Sequence, residues 1–122
     1  MKFPWQARAS SASPRSEMAN PHAGEVEIWL DGRPWRAKLT LGVLAELEAD
    51  LGVESMIALV QRFESGAFSS RDVMAVLVAG LRGGGWPGDL AQFLEADLKG
   101  GPVEAAHLAA TLLARAFRIA GT

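Results

Sequence analysis

The run Glu25-Val26-Glu27-Ile28-Trp29-Leu30-Asp31-Gly32-Arg33-Pro34-Trp35-Arg36-Ala37-Lys38-Leu39-Thr40 decides the fold class. Two β-rich stretches flank an Asp-Gly pair, the strongest short-range signal for a hairpin. A period of two places Val26, Ile28 and Leu30 with Trp35, Ala37 and Leu39 on one face. The other face carries Glu25, Glu27 and Trp29 near Arg36 and Lys38, where opposite charges can pair across strands. A two-stranded hairpin alone is marginal in water, so its apolar face must rest on other elements.

Those elements read as helices. Leu44, Leu47 and Leu51, with Val43 beside them, recur at helical spacing from Leu41 to Leu51, with Glu46, Glu48 and Asp50 facing outward and Gly52 closing the segment. A second helix, Val53 to Glu64, presents Met56, Ile57, Leu59, Val60 and Phe63 before Gly66. Ser69 followed by Asp72 forms a capping-box pattern, with Phe68 able to staple onto Val73. The helix it opens, Ser70 to Arg82, is apolar almost all round and is therefore expected at the centre. Asp89 with Gln92 starts a fourth helix, Leu90 to Leu98. Pro102 suits the first turn of a fifth, in which Ala105, Leu108, Ala109, Leu112, Ala116 and Ile119 form one stripe from Val103 to Ile119. The expected fold is α+β: an N-terminal β-hairpin packed on a compact bundle of about five helices, spanning residues 24–120.

Residues 1–23 differ in kind. Four serines, three prolines, and Lys2, Arg8 and Arg15 against the single acid Glu17 describe a disordered leader with no apolar run long enough for a signal peptide or membrane span. Met18 is a candidate natural start, which would leave the first 17 residues outside the translated protein.

Composition narrows the chemistry. The 122 residues contain no cysteine and carry 12 Lys+Arg against 14 Asp+Glu, a net charge of −2. Cysteine nucleophiles, disulfides and thiolate metal sites are excluded. A dedicated nucleic-acid binder would show a basic excess, and Glu25, Glu27 and Asp31 offset Arg33, Arg36 and Lys38 on the hairpin itself. The histidines, His22 and His107, have no neighbour at ligand spacing. Gly83-Gly84-Gly85 follows a helix and ends in Trp-Pro-Gly, which marks a helix terminator and turn rather than a phosphate loop. No catalytic, cofactor or metal site emerges. The four tryptophans remain: Trp29 falls on the opposite hairpin face from Trp35, and Trp86 sits in the glycine turn. Large aromatics dominate interface energetics, so Trp29, Arg33, Trp35 and Arg36 on the hairpin, with Arg82 and Trp86 around the turn, are the candidate partner-binding residues.

The segments Met18-Ala-Asn-Pro-His-Ala-Gly-Glu-Val, Leu30-Asp-Gly-Arg-Pro-Trp-Arg, Leu39-Thr-Leu-Gly-Val-Leu-Ala-Glu-Leu-Glu, Phe68-Ser-Ser-Arg-Asp-Val and Ala79-Gly-Leu-Arg-Gly-Gly-Gly together resemble the small tail protein encoded by the tenth gene of gene transfer agent clusters. Gene transfer agents are phage-like particles of alphaproteobacteria, and this family is grouped with phage tail assembly chaperones. The resemblance spans about Met18 to Ile119. It implies a non-enzymatic protein of the bacterial cytoplasm and of assembling particles, from a gene transfer agent or prophage. Such a chaperone keeps the tape-measure protein soluble until tail tube subunits polymerise around it; self-association is open, and neither nucleic acid nor membrane is implied as a partner. The alternative role is a structural tail tube or minor tail subunit.

Overall fold

The computed structural model describes residue 20 and residues 23–52 and 56–120. Asp31 (φ 52°) and Gly32 (φ 78°) adopt left-handed conformations, which reverse the chain within two residues and match the twist of the flanking strands. Strand β1 (Val26–Leu30) accordingly pairs antiparallel with β2 (Arg33–Ala37). The register sets Val26 opposite Ala37, Ile28 opposite Trp35, and Trp29 opposite Pro34. Pro34, which has no N–H to give, faces solvent at this position. The inward face is as the alternation predicts: Val26, Ile28, Leu30 and Ala37 are buried.

Five helices follow: α1 (Leu41–Leu51), α2 (Met56–Ser65), α3 (Ser70–Gly83), α4 (Leu90–Glu95) and α5 (Gly101–Ala120). The molecule is thus α+β, with the hairpin preceding a helical bundle. Thr40 caps α1 by accepting the Val43 N–H. Both expected capping boxes form. Ser69 and Asp72 exchange hydrogen bonds at the start of α3, and Asp89 and Gln92 do so at the start of α4. Each satisfies two N–H groups that a helix start otherwise leaves without partners.

Helix α3 lies at the centre, against α1, α5, α4 and β2. Val76, Leu77 and Leu81 are fully buried, and Leu112 and Leu113 of α5, Leu59 of α2, Leu47 of α1 and Ile28 of β1 complete the core. Phe68 is half-buried and stacks face to face on Phe63, ring centroids 4.8 Å apart, at the turn between α2 and α3.

Where the structure departs from the sequence reading, contacts between distant segments are responsible. Helix α4 ends at Glu95, three residues before the expected Leu98. The chain turns extended at Ala96, and Leu98 pairs with Leu30 at the outer edge of β1. The Lys99 N–H donates to the Trp29 carbonyl at 3.1 Å, and the Asp31 N–H to the Asp97 carbonyl at 2.9 Å. Helix α5 begins two residues before Val103. Glu48 does not simply face solvent: its Oε2 accepts the Met56 N–H at 3.0 Å and so caps the start of α2. Ile57, expected on the apolar face of that helix, is 62% exposed. The expected first turn of α2, residues 53–55, lies outside the described residues. So does most of the expected leader; Asn20 accepts the N–H groups of Ala23 and Glu25.

The glycine run also has a second reason for its composition. It ends α3, as expected, and it is where α3 meets the hairpin backbone to backbone. A Cβ on Gly83 would overlap the Lys38 carbonyl, and one on Gly84 the Arg36 carbonyl. One turn earlier the Lys38 N–H donates to the Gly80 carbonyl at 2.8 Å. The outer edge of β2 is thereby sealed against the last turn of α3.

Candidate functional site

The candidate partner-binding residues occupy three separate places. Trp29 stands on the outer face of the hairpin, half-buried, with the Lys99 ammonium 5.1 Å from its ring centroid. It shares with Glu27, Lys99 and Glu104 a hollow of about 320 Å³ beside the start of α5. Trp35 points to the core face by register yet stays half-buried, and the Arg33 guanidinium lies 5.3 Å from its ring centroid. Both cations are placed to interact with the negative ring faces. Arg36 is exposed and stands opposite Glu27 in the register.

Arg82 and Trp86 belong to the far end of α3. Arg82 reaches Glu46 of α1 at 3.5 Å, with both side chains more than half exposed, a geometry that contributes little net stability. Trp86 lies edge-on to Phe93, ring centroids 6.4 Å apart, and covers Gly88. Trp86 therefore ties the glycine turn to α4, whereas the hairpin aromatics are held by the cations Arg33 and Lys99.

The sequence reading missed an apolar groove. A groove of about 520 Å³ runs between the N-terminal halves of α3 and α5, with α4 as its third wall. It is lined by the small residues Ala96, Gly101, Ala105 and Ala106 and by the larger Phe68, Val73, Met74, Leu77, Phe93 and Leu94, of which Val73, Leu77 and Phe93 are buried. The only charged residue lining it is Asp97. One signal was available in the sequence. Leu90, Phe93 and Leu94 cannot all be buried by so short a helix, and only Phe93 is; Leu90 and Leu94 remain 48% and 58% exposed.

Asp72, 3% exposed, takes Arg62 Nη2 at 2.7 Å on one oxygen and the Ser69 N–H at 2.9 Å on the other. Arg115 Nη1 donates to the Glu25 carbonyl at 2.7 Å and anchors the start of β1 to α5. Among the described residues no group of three or more His, Cys, Asp or Glu side chains is arranged to hold a metal ion. His107 is exposed on α5, and His22 lies outside the described residues. No helix among the described residues is long and apolar enough to cross a membrane.

Comparison with known proteins yields one match. The family model described as "Phage tail tube protein, GTA-gp10" matches residues 23–119, the hairpin and nearly all of the helical bundle. No curated protein and no solved structure matches the chain.

Proposed function

Because the chain belongs to the gene transfer agent phage tail protein family, we propose that it is a non-enzymatic tail assembly factor, a chaperone that binds the tape-measure protein. One observation carries this reading: the only sheet among the described residues has two strands, and both of its outer edges are engaged. Leu98 and Lys99 occupy the edge of β1, and Gly80 with the end of α3 occupies the edge of β2, where Pro34 also withholds a donor. A subunit that builds a tube by joining sheets between neighbours needs free strand edges. A helical domain with an apolar groove is suited to holding a helical client instead.

The exposed Arg33 and Arg36 and the half-buried Trp35 are the proposed contact residues on β2, and Trp29, Arg82 and Trp86 extend the set to β1, α3 and the turn after it. Partners under this reading are the tape-measure protein and the tail tube subunits that replace the chaperone.

The second reading, a structural tail tube or minor tail subunit, is favoured by the description of the matching family. Co-expression with the tape-measure protein of the same gene cluster, followed by pull-down and size-exclusion chromatography, separates the two. A soluble complex that is lost when this chain is omitted is expected of a chaperone. Rings or tubes of this chain alone, without such a complex, would assign it to the tube.

A further inference from the structure

We propose that the groove between α3 and α5 seats an amphipathic helix whose polar flanks carry lysine or arginine. The inference rests on the assembly-factor reading and names the chemistry of the client segment. The small lining residues Ala96, Gly101, Ala105 and Ala106 leave room for a helix to approach, while Met74 and Leu94 can adapt to its apolar side chains.

Charge selects the flanks. Only Glu17 among the acidic residues precedes residue 20, whereas Lys2, Arg8 and Arg15 do, so residues 20–122 hold thirteen acids against nine bases, a net −4. Part of this imbalance borders the groove. Residues 83–98, which include its α4 wall, contain Asp89, Glu95 and Asp97 and no basic side chain. Asp97 lines one end, and the exposed Asp31 is hydrogen-bonded to its backbone there. The start of α5 also borders the groove, but the roughly half positive charge of a helix N-terminus is smaller than these two carboxylates, and Glu104 stands in that first turn.

The test uses the full chain and two fluorescein-labelled designed helical peptides with the same Leu/Ala face, one with lysine flanks and one with glutamate flanks, titrated by anisotropy at low and high salt. The lysine peptide is expected to bind more tightly, by about tenfold at low salt, with the difference shrinking as salt rises. Ala106→Trp, which puts a bulky ring into the groove, and Leu94→Asp, at an exposed lining position, are each expected to weaken binding by about tenfold or more. Asp97→Asn with Glu95→Gln should narrow the gap between the peptides.

Equal binding of both peptides, or full binding by folded Ala106→Trp and Leu94→Asp proteins, would overturn the proposal. So would a dimer that Leu94→Asp dissociates, which gives the groove to a second copy, or lysine-peptide binding that appears only after residues 1–17 are removed, which gives it to that segment. The tape-measure pull-down is scored separately. If it fails while the lysine peptide binds, the chaperone reading falls and the groove stands. A tape-measure complex unaffected by both groove variants has the opposite meaning.

Discussion

Asp31 and Asp97 hold each other through reciprocal hydrogen bonds of 2.9 Å: the Asp31 N–H donates to the Asp97 carbonyl, and the Asp97 N–H donates to Asp31 Oδ1. The hairpin turn is thereby tied to the segment that connects α4 to α5, 66 residues later. Asp31 also occupies a left-handed conformation that Asp and Asn tolerate better than most residues. Asp31→Ala should lower unfolding free energy by about 1–2 kcal/mol, through the lost acceptor and added backbone strain. Asp31→Asn keeps both features and should stay within about 0.5 kcal/mol of the parent. Urea unfolding of the two variants checks the pair, and equal losses would refute this account.

At the seam between α3 and β2, backbone approaches backbone and leaves no room for a methyl group. Gly84→Ala must push the Arg36 carbonyl away and should cost about 2–3 kcal/mol. The neighbouring Gly85 has open space around it but a φ of 104°, so Gly85→Ala should cost only about 1 kcal/mol, from backbone strain alone. Thermal unfolding that ranks Gly85→Ala as the worse of the two would contradict the packing argument.

Asp72 combines a helix cap with an ion pair, and Arg62 is 38% exposed at its side chain, so water already screens part of the charge. Asp72→Ala should cost about 2–3 kcal/mol because it removes the acceptor for the Ser69 N–H, one half of the capping box, and the ion-pair partner of Arg62. Arg62→Met keeps the aliphatic stem and the capping box and should cost less, about 1 kcal/mol or below. Denaturation of the double variant measures the coupling directly.

Trp86 and Trp29 are expected to respond differently to truncation. Trp86 packs edge-on to Phe93 and covers the glycine turn, so Trp86→Ala should lower stability by about 1–3 kcal/mol whatever it does to a partner. Trp29 lies on the outer face under Lys99. Trp29→Ala should leave the melting temperature nearly unchanged while weakening tape-measure capture. A stability loss as large as that of Trp86→Ala would assign Trp29 to structure rather than contact.

The sequence carried the local decisions. The Asp31-Gly32 turn, the inward set Val26, Ile28, Leu30 and Ala37, and the two capping boxes are all encoded within a few residues and form as the pattern predicts. What could not be read depends on partners far away in the chain. Nothing in Ala96-Asp97-Leu98-Lys99 signals an extended segment until Leu30 is beside it. Gly83 and Gly84 read equally well as a turn until β2 arrives, and Glu48 reads as a solvated acid until the Met56 N–H lies over it. The candidate residues were chosen as aromatics and cations near turns, a criterion that finds exposed anchors and overlooks a concavity. The groove exists only because α3, α4 and α5 meet, and part of its lining is alanine and glycine, which no composition argument singles out.

The Arg115 clamp on the Glu25 carbonyl spans 90 residues, and it has a consequence for biosynthesis. Among the described elements the hairpin leaves the ribosome first, but α5, which helps to complete its apolar face, leaves last. At about 5–20 residues per second, roughly four to eighteen seconds separate Glu25 from Arg115. During that interval Val26, Ile28 and Leu30 are without the helices that bury them. The newly made chain thus exposes its own apolar strand face for a time set by the order of its elements, from first described strand to last helix.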